Sequence, residues 1–258
     1  MIRRAALVTG STSGIGLGIA KALAGAGYDI MLNGFGSATQ VSAAVSDLAA
    51  AGVRVEYNDA DMSKPSEIRA LVQATKDAFG RLDVLVNNAG IQHVARTEAF
   101  PEDKWDAILA INLSAVFHAT KAALPHMQKE GWGRVINVAS VHGRVASEGK
   151  CAYVAAKHGV IGLTKAVALE NANAGITANA ICPGWVETPL ALQQVAARAA
   201  ASGLSEAEEA ELLVGEKQPM KRFTSPSSIG ALAVFLCSDA ADTITGSEQV
   251  IDGGWLAQ

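Results

Sequence analysis

Tyr153 and Lys157 stand four residues apart in a stretch, Arg134 to Glu170 (RVINVASVHGRVASEGKCAYVAAKHGVIGLTKAVALE), that also holds Ser140, His142 and Lys150. On a helix, side chains at i and i+4 leave the same face roughly 6 Å apart along the axis. A phenol and an ammonium can then act on one ligand. A phenol with its ordinary pKa of about 10 is a poor base at neutral pH, and a neighbouring ammonium favours the phenolate. Tyr153 therefore has the makings of an acid/base group. The same spacing also occurs on amphipathic helices where both residues serve ordinary surface roles, so the pair needs the rest of the chain to decide it.

The elements that would position the pair are legible. A β-rich run from Arg134 to Ala139 ends at Ser140, and after a glycine-marked loop a helical pattern begins near Ala152. Upstream, Ala5 to Thr9 reads as a buried strand, followed by Gly10-Ser11-Thr12-Ser13-Gly14-Ile15-Gly16 and a helical pattern through Ala26. Glycines let the backbone approach a pyrophosphate, and a helix N-terminus offers free N–H groups and a positive dipole end. The spacing is G-x-x-x-G-x-G, without the Lys-Ser/Thr ending of an ATP-binding loop, which disfavours an NTPase. A tight strand-to-helix turn is the structural alternative.

Strand Tyr28 to Leu32, helix Ala38 to Ala51, strand Val53 to Asn58, helix Pro65 to Phe79 and strand Leu82 to Val86 continue a β-α alternation. Such alternation predicts a single α/β domain spanning residues 1–258. Its core is a Rossmann-type, doubly wound parallel sheet of about seven strands with helices on both faces. Asp61, after the third strand, could accept from an adenine amino group or cap the following helix. Asn87-Asn88-Ala89-Gly90 lies at the carboxyl edge of the fourth strand, where open α/β sheets place ligands, although Asn and Gly also make turns. Asn112 falls inside a long helical pattern from Pro101 to Met127, turned outward or functional.

A net charge of −4 gives no basic field, which argues against nucleic acid or an anionic membrane surface as partner. Cys151, Cys182 and Cys237 are odd in number and share no C-x-x-C spacing, which excludes a disulfide framework or structural zinc and fits a reducing cytoplasm. No metal site is expected. Met1 to Val8 carries two arginines before a short apolar run that stops at Thr9-Gly10, so export is not expected. No apolar run is expected to approach the roughly 18 to 20 uncharged residues of a membrane span.

With Gly10 to Gly16, Asn87 to Gly90, Asn112, Ser140, Tyr153 and Lys157 in order on a matching β-α pattern, the sequence resembles the short-chain dehydrogenase/reductase family over essentially its whole length. The resemblance implies Tyr153 as catalytic acid/base, with Lys157 lowering its pKa and holding the nicotinamide ribose. It implies Ser140 as the group that binds the reacting oxygen, and Asn112 as support for a water in the proton relay. Around the cofactor it implies Gly10, Thr12, Ser13, Gly14, Ile15, Gly16, Phe35, Asp61, Met62, Asn88, Ala89 and Gly90, with Pro183, Gly184, Val186 and Thr188 at the nicotinamide and phosphate. After the second strand no acidic residue is present for the 2′-OH of NAD, but no Arg or Lys stands between Asn33 and Gln40 to hold the 2′-phosphate of NADP. An uncompensated buried phosphate costs more than one lost ribose hydrogen bond, so NAD is the expected cofactor.

Substrate must be read outside that common set. His142 and Lys150 lie between Ser140 and Tyr153, a poor place for cations unless an anion comes near, and Gln92 and Gln194 could add amide donors. The alternative is a solvated loop lysine among polar helix residues. Gln92-His93-Val94-Ala95, Ser140-Val141-His142-Gly143, Cys182-Pro183-Gly184-Trp185 and Asp252 to Gln258 are similar to bacterial family members acting on a short 3-hydroxy acid. That implies interconversion of (R)-3-hydroxybutyrate and acetoacetate, the carboxylate held by Gln92, His142, Lys150 and Gln194, with Trp185 and Trp255 walling the methyl side. Residues 188–218 read as a helical substrate lid with a capping box at Ser205-Glu206-Ala207-Glu208 and a possible hinge at Gly203. The family is usually homotetrameric. The alternatives within the family are another short-chain reductase, such as a 3-oxoacyl-carrier-protein reductase, or a sugar dehydrogenase. Such an enzyme should usually have a base for the 2′-phosphate, and an acyl-carrier partner needs a basic docking patch, neither of which is evident. A non-catalytic relative would break the Asn112, Ser140, Tyr153, Lys157 set, which is intact.

Overall fold

The computed structural model describes residues 3–258, so the first two residues of the N-terminal stretch considered above lie outside it. Seven short strands form one parallel sheet: β1 (Ala5–Val8), β2 (Asp29–Asn33), β3 (Val55–Asn58), β4 (Val84–Asn87), β5 (Gly133–Val138), β6 (Ile176–Pro183) and β7 (Glu248–Ile251). The order is β3-β2-β1-β4-β5-β6-β7. Strands β1, β2, β4, β5 and β6 are buried along their entire length, as continuous apolar strands covered on both faces must be. The order reverses between β1 and β4, which opens a crevice at the carboxyl edge, where such sheets bind ligands.

Helices α1 (Gly14–Gly25), α2 (Ala38–Ala49) and α9 (Pro226–Cys237) cover one face, over Ile19, Leu23, Leu32, Leu48, Ile229 and Leu236. Helices α3 (Pro65–Phe79), α5 (Ala115–Glu130) and α6 (Cys151–Glu170) cover the other, over Leu7, Ile68, Leu85, Met127 and Val167. Local chemistry sets the boundaries. Ser37 and Gln40 cap α2 reciprocally, Pro65 opens α3, and Gly80 closes it in the left-handed region at φ 80°.

The pattern from 101 to 127 predicts one regular helix. The structure instead has α4 (Glu102–Leu109), a π-helical turn Ala110–Ser114 and α5. A single inserted residue of this kind is invisible to apolar periodicity and recurs at functional sites. Together the three pieces make 29 helical residues, long and apolar enough by length and composition to cross a bilayer. The expectation concerned uncharged residues, and this helix stays short of such a span, its uncharged stretch being residues 107–120 between Asp106 and Lys121. Physically it is a core element, with Ala115, Val116, Ala119, Ala123 and Met127 packed inside the molecule.

The region 188–218 folds as two helices, α7 (Pro189–Ser202) and α8 (Glu206–Gly215). Thr188 caps α7, and Ser205 and Glu208 form the expected capping box of α8. Gly203 takes φ 78° as the residue that closes α7. Arg198 ties the two helices together, reaching Glu209 at 3.0 Å and Glu216 at 2.8 Å. Gly203 is therefore the cap between two helices joined through Arg198.

Candidate active site

Ser140 follows the end of β5 and starts the 3-10 turn Val141–Gly143, its Oγ accepting the His142 backbone N–H at 3.2 Å. Tyr153 and Lys157 occupy the first two turns of α6. Lys157 is buried, donates from Nζ to the carbonyl of Val138 at 2.7 Å, and lies 5.6 Å from the centroid of the Tyr153 ring. Burial pulls the Lys157 ammonium down to about 8, which leaves it largely protonated at neutral pH. Tyr153 moves opposite to expectation: burial pushes the phenol above its ordinary value, and a hydrogen bond with Ser140 opposes this only in part. In the protein alone, Tyr153 is a neutral acid. The ammonium spends its shortest bond on Val138, so burial sets the direction.

Asn112 sits on the π turn, fully buried. Its Oδ1 accepts from Ile91 N–H at 2.8 Å and its Nδ2 donates to Ile91 C=O at 2.9 Å. The side chain thus pins the segment that leaves Gly90. A role in supporting water does not rest on a free carboxamide.

The glycine loop is locked to the end of β4. Asn88 donates from Nδ2 to the carbonyls of Thr9 and Gly10, both at 2.9 Å, while the N–H groups of Asn88 and Ala89 donate to Thr9 Oγ1. Gly10 has φ 60°, and a Cβ there would stand 2.8 Å from Ala89 Cα; a Cβ on Gly16 would run into the Gly10 carbonyl. Both glycines are required by close approach. Ser13 is the N-cap of α1, yet its side chain makes no capping bond and the first turn carries no acid. That leaves an uncapped, positive helix end facing the crevice, a fit for a dinucleotide pyrophosphate. Gly14 lies against Thr188, which brings the start of α7 to this loop.

Other expected cofactor positions differ in character. Phe35 is 68% exposed beyond β2, with Thr12 Oγ1 donating to its carbonyl at 2.8 Å. Asp61 does not cap α3, whose N-cap is Lys64; its carboxylate accepts from Ser63 N–H and Oγ, and those bonds hold its pKa below the usual range. Met62 is buried in the core under α3 and α5, Ile15 packs partly buried against the core of the opposite face, and Val186 is buried and bridges to Thr224. Pro183 ends β6.

Among the substrate candidates, His142 is buried, and burial, then Lys150, His158 and Lys217, pull it down to about 4. It is a neutral imidazole, which corrects its reading as a cation. Its ring meets Tyr153 edge-on at 5.9 Å and Trp255 at 5.4 Å. Lys150 is half-buried at the start of α6 and its pKa is lowered by burial; among the described residues no carboxylate pairs with it. Gln92 and Gln194 are exposed, and no hydrogen bond joins either to His142 or Lys150. Trp255 therefore lies against His142, beside Tyr153, while the ring of Trp185 packs on Phe223 at 6.3 Å, its buried Nε1 unpartnered.

Three contributors escape sequence reasoning. Gln218 is fully buried, accepts the Trp185 N–H and donates to the Arg222 carbonyl at 3.1 Å. A Cβ on Gly184 would collide with its carboxamide, so Gly184 is small to admit it. Nothing local marks a lone Gln before Pro219. Asp252 accepts from Gly254 and Leu256 N–H and so holds the turn that carries Trp255. Across the sheet, Asn87 donates to Asn137 at 2.8 Å and to Thr120 at 3.3 Å, and Asn137 donates to Thr164 at 2.8 Å. A polar residue inside the apolar run Arg134–Val138 is the signal that could have flagged Asn137. Cys182, raised by burial to about 11, is inert.

Chains that share this sheet order and crevice also share sequence with this one: a family model described as enoyl-(acyl carrier protein) reductase matches residues 10–256, and the chain belongs to the short-chain dehydrogenase/reductase family of oxidoreductases. It is 57% identical over 255 residues to the "D-beta-hydroxybutyrate dehydrogenase" of Cupriavidus necator, covering 99% of this chain and 98% of that protein. It is 48% identical over 256 residues to the protein of the same name from Rhizobium meliloti, covering 99% of each. A solved actinorhodin polyketide ketoreductase with NADPH superimposes with a TM-score of 0.90 at 36% identity, covering 98% of this chain and 97% of that one.

Proposed function

We propose that the protein interconverts (R)-3-hydroxybutyrate and acetoacetate with NAD, by hydride transfer coupled to proton transfer at Tyr153. The observation that carries the reading is a half-buried Lys150 with no carboxylate partner beside the Ser140, His142 and Tyr153 cluster, in a chain so similar to proteins named for this substrate. A buried unpaired ammonium is costly, and a substrate carboxylate would compensate it. Gln92 and Gln194 would complete that site once the α7–α8 pair, with Leu190 and Leu192 exposed on its surface, closes over it.

The loop Gly10–Gly16, with Asn88 to Gly90 and Thr188, would hold the cofactor, and Lys157 its ribose. Bound NAD supplies the hydride acceptor, which no side chain can. NAD over NADP is supported by the exposed, base-free segment from Phe35 to Gln40, although the ketoreductase neighbour carries NADPH. The chain's own work is proton transfer and orientation. Ser140 directs the reacting oxygen, and Tyr153 donates its proton to it when acetoacetate is reduced. In oxidation Tyr153 must first lose that proton, and the Lys157 ammonium favours the resulting phenolate.

A cytoplasmic homotetramer is the proposed setting. The cysteines are free, and Trp105, Phe117 and Leu169 expose large apolar surface on the α4–α6 face. The test is NADH absorbance with the (R) acid, its (S) enantiomer, and NADP in place of NAD. Rapid turnover restricted to the (R) acid and NAD is expected; none with the (R) acid would dissolve the carboxylate reading.

A further inference from the structure

We propose that Ser147 is a positioning residue for the reacting site, acting through His142 to aim the hydroxyl of Ser140. The proposal rests on the reading of Ser140 as the group that binds the reacting oxygen. A serine hydroxyl has one hydrogen to give and two acceptor positions, and a neutral imidazole has one donor and one acceptor nitrogen. One acceptor position of Ser140 Oγ is filled by the backbone N–H of His142, at 3.2 Å. Nδ1 of the same residue lies 3.4 Å from that oxygen.

Two tautomers then have opposite consequences. With the proton on Nδ1, the ring donates to Ser140 as well, both acceptor positions are filled, and the only hydrogen of Ser140 is left for Tyr153 and the reacting oxygen. With Nδ1 bare, the ring competes for that hydrogen and draws it away. On the far side of the ring Nε2 lies 2.8 Å from Ser147 Oγ, a hydroxyl able to donate or accept, and the proposed arrangement has it donating. When Nδ1 carries the proton, Nε2 must accept, so the Ser147 hydroxyl donates. Burial keeps the ring neutral, as this arrangement requires. Trp255 and Tyr153 meet the ring edge-on, at interplanar angles of 80° and 78°, and hold its orientation. Ser147 thus acts at one remove, from the loop between the 3-10 turn and α6, and touches no reacting atom itself.

The test is nitrogen NMR of the full-length protein carrying 15N-labelled histidine, with the His142 signals identified by their loss in His142→Gln. In the wild type Nδ1 should be protonated and Nε2 bare. Ser147→Ala should shift population to the Nε2–H form and lower kcat about tenfold with KM for the hydroxy acid little changed, as loss of one orienting hydrogen bond in the transition state predicts. Ser147→Thr, which keeps the hydroxyl, should restore both. A wild-type ring protonated at Nε2 overturns the proposal, as does a Ser147→Ala protein whose tautomer or kcat equals wild type. Ring spectra need no substrate, so failure of the hydroxybutyrate reading would show as absent wild-type turnover while the spectra still decide the role of Ser147.

Discussion

The ammonium of Lys157 lies 5.6 Å from the centroid of the Tyr153 ring, close enough to act on the phenolate yet bonded elsewhere. A buried phenol that stays protonated in the resting protein is suited to donate, and it must be persuaded to accept. Tyr153→Phe keeps the ring and its packing while removing the phenolic proton. Turnover should fall by about 10³ or more, with NAD affinity, read by titration, within twofold. Turnover near wild type would remove Tyr153 from the chemistry.

Lys157 is held in the protein at a cost, since its pKa is pulled to about 8 from an ordinary 10.5. A lowered pKa for a base means that the unfolded chain binds more protons between these values. Stability should therefore rise with pH from about 8 to about 10.5, by an amount on the order of 3 kcal/mol at most. In Lys157→Met that rise should vanish, and the variant should melt at or above the wild-type temperature at neutral pH while turning over poorly. A melting point well below wild type would show that the bond to Val138 outweighs the buried charge.

His142 obeys the same rule in a different window. With a folded pKa of about 4 against an ordinary 6.5, its neutral form adds stability above about pH 6.5 that is lost as pH falls through about 4. Urea midpoints measured between those pH values should fall more steeply for the wild type than for His142→Gln. The pH profile of kcat/KM should carry no step from this imidazole between about pH 5 and 8; an inflection removed by His142→Gln would restore its reading as a cation.

Lys150→Ala and Gln194→Ala probe the anion site. Each should raise KM for the hydroxy acid about tenfold or more and leave KM for NAD within twofold, because neither residue belongs to the cofactor cradle. Equal effects on both ligands would mean that these residues shape the crevice as a whole.

Cofactor choice turns on an exposed edge. Phe35 is largely exposed, and a Cβ at Gly36 would meet only ordinary contacts, the nearest at 3.5 Å, so arginine is sterically admissible at both positions. The double replacement should raise kcat/KM with NADP by about tenfold through charge-assisted bonds to the 2′-phosphate. An unchanged NAD to NADP ratio would mean that the ribose lies elsewhere.

Sheet and helices were legible because each leaves a mark within a few residues: strand-like runs for β1 to β6, glycines at Gly10 and Gly16, and a Tyr and Lys at helical spacing that do share one helix, α6. The π turn at Asn112 was hidden, since one extra residue in a helix barely disturbs apolar spacing. The states of His142 and Tyr153 were hidden for another reason. Their charge depends on burial by Trp255 and by neighbouring elements distant in sequence, and a local pattern of cations and phenols says nothing about solvent. Gln218 lies in the same category, a residue defined by what folds onto it.

The bond from Asn88 to the Gly10 carbonyl spans 78 residues of chain. During synthesis the glycine loop leaves the ribosome early and must wait for β4, its neighbour across the sheet, before its backbone is fixed. Until β4 is paired the loop has no fixed backbone, so the close approach that Gly10 and Gly16 allow is a contact formed only when the centre of the sheet closes, and it joins two parts of the chain made far apart in time.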